Sequence, residues 1–133
     1  MSAFLKIPSS AAWLSAVLED FDAFLPDHAA NERKASAMAM SMVAHYPDRG
    51  ALLTAMIDLA VEELNHFRQV VRLLGSRGLQ LQPDEKDPYV NQLRSKVRRG
   101  REEYLLDRLL CAAVIEGRGA ERFALIATGV DAP

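Results

Sequence analysis

A chain of 133 residues, half of them hydrophobic and 26% charged, can bury one real core and has the composition of an ordinary soluble domain. Its net charge of -2 gives no overall electrostatic argument for nucleic acid, and its apolar runs fall short of the roughly 20 residues a membrane span requires. No basic-then-apolar leader opens it, so a cytoplasmic protein is expected, and the single cysteine, Cys111, excludes an internal disulfide and reads as a small buried hydrophobe.

Ser9 or Ser10 can cap a first helix over about residues 11–25, with Trp13, Val17, Phe21 and Phe24 as its apolar face. Pro26 and Asp27 mark a break. A second helix, rich in Ala and Met, follows over about 27–45 and is ended by Tyr46-Pro47-Asp48. The third and longest covers about 49–76, and Gly75 and Gly78 supply its C-cap. Periodicity is lost over about 79–88, where two prolines and several charges predict a surface loop. A short helix over about 89–99 and a long one over about 102–127, separated by Gly100, complete an all-α, single-domain reading of residues 1–133.

Three of these helices share an anomaly. The second carries the stripe Leu25, His28, Glu32, Ala35, Ala39, Met42, Tyr46, and the third Met56, Ala60, Glu63, Phe67, Val70, Leu74. The last repeats the pattern with Leu105, Leu109, Ala112, Glu116, Gly119, Phe123, Ile126. Steps of three or four residues place each glutamate on the face that should meet neighbouring helices. An unpaired carboxylate moved there costs several kcal/mol, comparable to the stability of a small domain, unless a cation or hydrogen bonds compensate. Glu63 and His66 stand about 60° apart on a helical wheel, so one helix can offer both to a single point. Carboxylates with an imidazole suit iron or manganese better than metals that prefer thiolates. The competing reading pairs Glu32 with Arg33 or Lys34, Glu63 with Arg68, and Glu116 with Arg118 or Arg122 as surface salt bridges.

His28, one turn before Glu32, reads first as a structural histidine, with a hydrogen bond to Glu32 as its other use. His45 falls at a helix C-terminus and reads as a cap. Asp58, Glu62, Glu102, Glu103, Asp107 and Glu121 lie off the stripes and are expected in solvent. Arg94, Lys96, Arg98, Arg99 and Arg101 concentrate positive charge beside the loop, as a phosphate-contacting or merely solvated face.

The segments Asp27-His28-Ala29-Ala30-Asn31-Glu32-Arg33-Lys34-Ala35, Glu62-Glu63-Leu64-Asn65-His66-Phe67 and Val114-Ile115-Glu116-Gly117-Arg118-Gly119-Ala120-Glu121-Arg122-Phe123 resemble the MiaE-type tRNA hydroxylases. These are non-haem di-iron enzymes of the ferritin-like superfamily, and the likeness runs from about residue 13 to the end. It implies a ferritin-like antiparallel helical bundle and a monooxygenase that uses dioxygen and two irons. The substrate it implies is the isopentenyl group of the hypermodified adenosine beside the tRNA anticodon. Glu32, Glu63, His66 and Glu116 match the iron ligands, with Glu63 and Glu116 as bridging carboxylates. tRNA and an electron-donor protein or reductase are the implied partners. Family members continue into a further helix with a second Glu-x-x-His, whereas this chain ends at Asp131-Ala132-Pro133, so a C-terminally incomplete site with impaired activity is expected. The groove left by that helix should favour a homo-oligomer. Two alternatives stay open: a ferritin-like or rubrerythrin-like iron protein, and a metal-free helical interaction module.

Overall fold

The computed structural model describes residues 5–130, and the chain end at Asp131-Ala132-Pro133 lies outside them. Among the described residues there are five helices and no strand: α1 (Ala11–Glu19), α2 (Phe21–His45), α3 (Gly50–Ser76), α4 (Pro88–Arg94) and α5 (Arg101–Gly129). None is long and apolar enough to cross a membrane. They fall into two compact units, residues 20–84 and the segments on either side of them.

The first unit is a hairpin of α2 and α3. The expected break at Pro26 is found instead at Asp20, whose side chain accepts a hydrogen bond from the Ala23 amide (3.2 Å) and so caps α2. Pro26 lies inside the helix, buried, where it removes one backbone donor without ending the helix. Phe21 and Phe24 therefore belong to α2, not to the first helix. They pack with Phe67, Val70 and Leu79 around a core of Leu25, Ala29 and Leu74.

Small residues let the two helices approach closely: Ala39 and Ala60 are buried, and the Ser36 hydroxyl donates to the Ala60 carbonyl (2.9 Å). Met42 and Tyr46 close the tight end of the hairpin. At the open end α3 stops in a Schellman motif, with the Leu79 amide donating to Leu74 (2.8 Å) and the Gly78 amide to Gly75 (3.1 Å). Gly78 takes φ +69°, the left-handed conformation that a side chain disfavours. Leu79 then folds back onto the core, and Arg77 clamps Asp22 through two hydrogen bonds (2.6 and 2.8 Å). Asp84 pairs with Arg33, tying down the end of the loop.

The second unit is built on α5. α1 runs parallel to the C-terminal part of α5: Arg122 lies over the Trp13 ring at 4.6 Å, and Leu14 and Leu18 approach Gly129. Ser10 caps α1 by accepting from the Trp13 amide (3.1 Å), while Ser9 is engaged elsewhere. α4 starts with Pro88 after the Asp87 cap, which accepts from the Tyr89 amide (2.9 Å). It ends at Arg94, short of the expected 99, because the backbone turns through i+3 bonds at Lys96 and Val97 and Arg98 fastens onto Asp107. Cys111 is half-buried, and its thiol faces the Leu93 carbonyl of α4 at 3.6 Å.

Candidate metal centre

Within the hairpin, Glu32 from α2 and Glu63 and His66 from α3 each offer a ligand atom, and these atoms all lie within 4.8 Å of one another. Glu63 is 6% exposed and the Glu32 side chain 12% exposed, so two acids share a largely buried place. His66 Nδ1 stands 3.7 Å from Glu32 Oε2 and 3.7 Å from Glu63 Oε1, facing both carboxylates while its ring stays accessible. The three-residue step from Glu63 to His66 is what lets one helix supply both groups.

Glu32 is held from behind. His28 Nε2 lies 3.1 Å from its other oxygen, Oε1, one helical turn away, and the His28 ring stacks on Phe24 with centroids 5.6 Å apart. His28 thus makes the contact that was its secondary reading from sequence. Burial, the largest single influence, pushes the Glu32 carboxyl up. Hydrogen bonds from His28 and Glu63 and the electrostatic pull of His28 and His66 outweigh it and bring Glu32 down to about 2. This donor set fits a cation: oxygens and an imidazole nitrogen converge. Arg33 pairs with Asp84, and Arg68 hydrogen-bonds Asn65 (2.9 Å).

Glu116, the fourth expected ligand, stands on α5 in the other unit and is exposed, so the apolar stripe placed it on a buried face that the structure does not give it. Phe123, on the same stripe, is also exposed. The buried acid of α5 is Glu121, which the sequence reading left in solvent. It is 6% exposed and accepts from the Ser9 amide (2.6 Å), the Ser9 hydroxyl (2.7 Å) and Arg118 (3.0 Å). Burial raises the Glu121 carboxyl, and those hydrogen bonds and the Arg118 charge overcome it, leaving it at about 2. Asp107 is likewise largely covered, and three hydrogen bonds from Arg98 hold its carboxyl at about 2. No local periodicity announces Glu121, since its partner Ser9 is 112 residues away in sequence. His45 behaves as expected, its Nδ1 set 2.8 Å from the Ser41 carbonyl in the last turn of α2.

Of the basic run, Arg94, Lys96, Arg98, Arg99 and Arg101 are all exposed. Arg98 is committed to Asp107 through both its backbone amide and its guanidinium.

Known proteins give the arrangement its context. A family model described as tRNA-(MS[2]IO[6]A)-hydroxylase (MiaE) matches residues 1–133. A tRNA 2-(methylsulfanyl)-N(6)-isopentenyladenosine(37) hydroxylase from Pseudomonas putida is 40% identical over 131 residues, 98% of this chain and 64% of its own length. A protein of the same name from Salmonella typhimurium is 32% identical over 129 residues, 92% of this chain and 47% of its own. Among solved structures, protein 43 with aldehyde deformylating oxygenase activity from Synechococcus superposes with a TM-score of 0.95 at 36% identity, covering 99% of this chain and 66% of that one. The chain thus spans between about half and two thirds of the length of these relatives. The expected class, all-α and ferritin-like, holds. With its whole sequence matched by the family model, the chain belongs to the MiaE family of tRNA hydroxylases.

Proposed function

We propose that this chain carries the iron-binding part of a dioxygen-dependent tRNA hydroxylase acting on the isopentenyl group of the modified adenosine beside the anticodon. The observation that carries this reading is the convergence of Glu32, Glu63 and His66 within 4.8 Å in a member of this family. The names of the two curated relatives supply the substrate class.

Glu32 and Glu63 provide oxygen donors and His66 a nitrogen donor, a set suited to iron. Glu116 enters the ligand set on the family resemblance alone. Iron held there would supply dioxygen activation, a redox chemistry that amino-acid side chains lack. His28 fixes the Glu32 carboxylate by engaging one oxygen and leaving the other toward His66, and Phe24 fixes the ring of His28. Arg94, Lys96, Arg99 and Arg101 offer exposed charge for tRNA phosphates, and Arg98 is bound to Asp107. An electron-donor protein and self-association complete the partners of this reading.

The test is anaerobic loading with ferrous iron, desalting and elemental analysis, followed by incubation with dioxygen, a reductant and tRNA bearing the isopentenyl nucleoside. Retained iron and a hydroxylated nucleoside by mass spectrometry are expected. No retained iron overturns the metal centre, whereas retained iron without hydroxylation returns the chain to the ferritin-like or rubrerythrin-like class.

A further inference from the structure

A concave site lies within the unit built on α5. The last turn of α4, the turn after it and the first two turns of α5 line a half-open concavity of about 390 Å³. Arg94, Arg98, Arg99 and Arg108 line it together with Ser95 and Tyr104, and no carboxylate is among the lining side chains. Asp107 neutralises Arg98 and holds it as a wall. Three further guanidinium groups therefore surround one small polar space.

Arg108 is the most informative of them. It is 8% exposed, so most of the residue is covered by the protein. Its partner is a neutral phenol: it donates to the Tyr104 hydroxyl (2.8 Å) and lies over the Tyr104 ring at 5.5 Å. Among the described residues no carboxylate pairs with it. Buried arginines ordinarily meet an anion, because a phenol and a ring face recover only part of the hydration a guanidinium loses. Arg118 against Glu121, a buried ion pair of this unit, shows the usual solution. The ligand that would complete Arg108 is one that also satisfies Arg94 and Arg99 at the rim, and guanidinium forks match the oxygens of a phosphate.

We infer that this cavity is a phosphate-binding site, with Arg108 as its buried donor and Arg94 and Arg99 at its mouth. The site stands on its own geometry; that the phosphate belongs to a tRNA backbone rests on the functional reading above. Arg98, which charge counting alone would place among the phosphate ligands, is instead a structural wall. Arg108, outside the basic run in sequence, takes its place.

The experiment titrates the iron-free protein with inorganic phosphate at constant ionic strength, following the arginine side-chain NMR signals, and then with an anticodon stem-loop RNA. The wild type should bind phosphate saturably with shifts at Arg108. R99A, an exposed and fold-neutral change, and R108K, which keeps the charge but loses the fork, should each weaken phosphate by about tenfold, the worth of one charge-assisted contact. R72A, an exposed arginine on α3, should change nothing. Parallel losses with the RNA, and competition between RNA and phosphate, identify the source as a nucleic-acid backbone. Phosphate binding lost in the variants with RNA affinity unchanged keeps the site and assigns it to a free phosphate compound. No saturable phosphate binding by the wild type, or equal binding by R99A and R108K, overturns the proposal whatever the iron content.

Discussion

Two buried glutamates, one in each unit, look alike in exposure and differ in company. Glu121 in the α5 unit meets an arginine, a hydroxyl and a backbone amide, so its charge is answered inside the protein. Glu63 in the hairpin sits with a second acid and with a histidine 3.7 Å away, a donor set that converges on one point as a cation's ligands do. Burial of an acid is thus no signature of function; the sign of the charges packed against it is.

The largest expected effect tests that distinction directly. H66A or E63A should lower ferrous iron affinity by about a hundredfold or more, since each removes a direct donor. Most of the helical signal should remain, since both residues lie within a long helix whose backbone bonds are untouched. Retention of tight iron binding by both would place the metal elsewhere. H28A should follow at about 10-fold to 100-fold, the usual cost of losing the group that orients a ligand. If H28A binds iron like wild type, the 3.1 Å contact is packing only.

E121A supplies the mirror image. It should cost about 1–3 kcal/mol of stability in denaturant titration by stranding Arg118 and Ser9, with iron affinity untouched. Its pH dependence has a defined sign. Glu121 is lowered from 4.5 to about 2 in the folded chain, so its stabilisation is fully present above the ordinary value of 4.5 and is lost as pH falls through about 2. The stability gap between wild type and E121Q should therefore be constant near neutrality and narrow across that acid range. A gap that widens on acidification would contradict the hydrogen-bond assignment. The smallest effect concerns the hairpin's end: G78A should cost about 1–2 kcal/mol, the penalty of a side chain at positive φ. Iron binding should persist, since the Schellman turn lies beyond the donor residues.

Much of the hairpin was legible beforehand. Leu25, Ala39, Met42 and Tyr46 on one helix and Ala60, Glu63 and Leu74 on the other are buried as their spacing predicts, because each packs mainly on its sequence neighbour across a short turn. Pro26 misled the boundary: the capping bond from Asp20 outweighed one missing backbone donor. In the other unit the pattern failed twice. Glu116 and Phe123 lie exposed on a stripe that should have been inward, and Glu121 and Asp107 are covered although they lie off it. There the partners come from Ser9 and Arg98, and no helical period encodes a contact between separate segments.

Residue order alone determined the helical class, a candidate set of three acids and a histidine, and the family, since these depend on spacing along one chain and on matched motifs. Only the folded arrangement decided which buried charges are already neutralised and which still want a ligand. Neutralisation is a matter of distances between side chains far apart in sequence, so Glu121 and Arg98 became structural, His28 became the support of Glu32, and Arg108 was left with a phenol where an anion belongs.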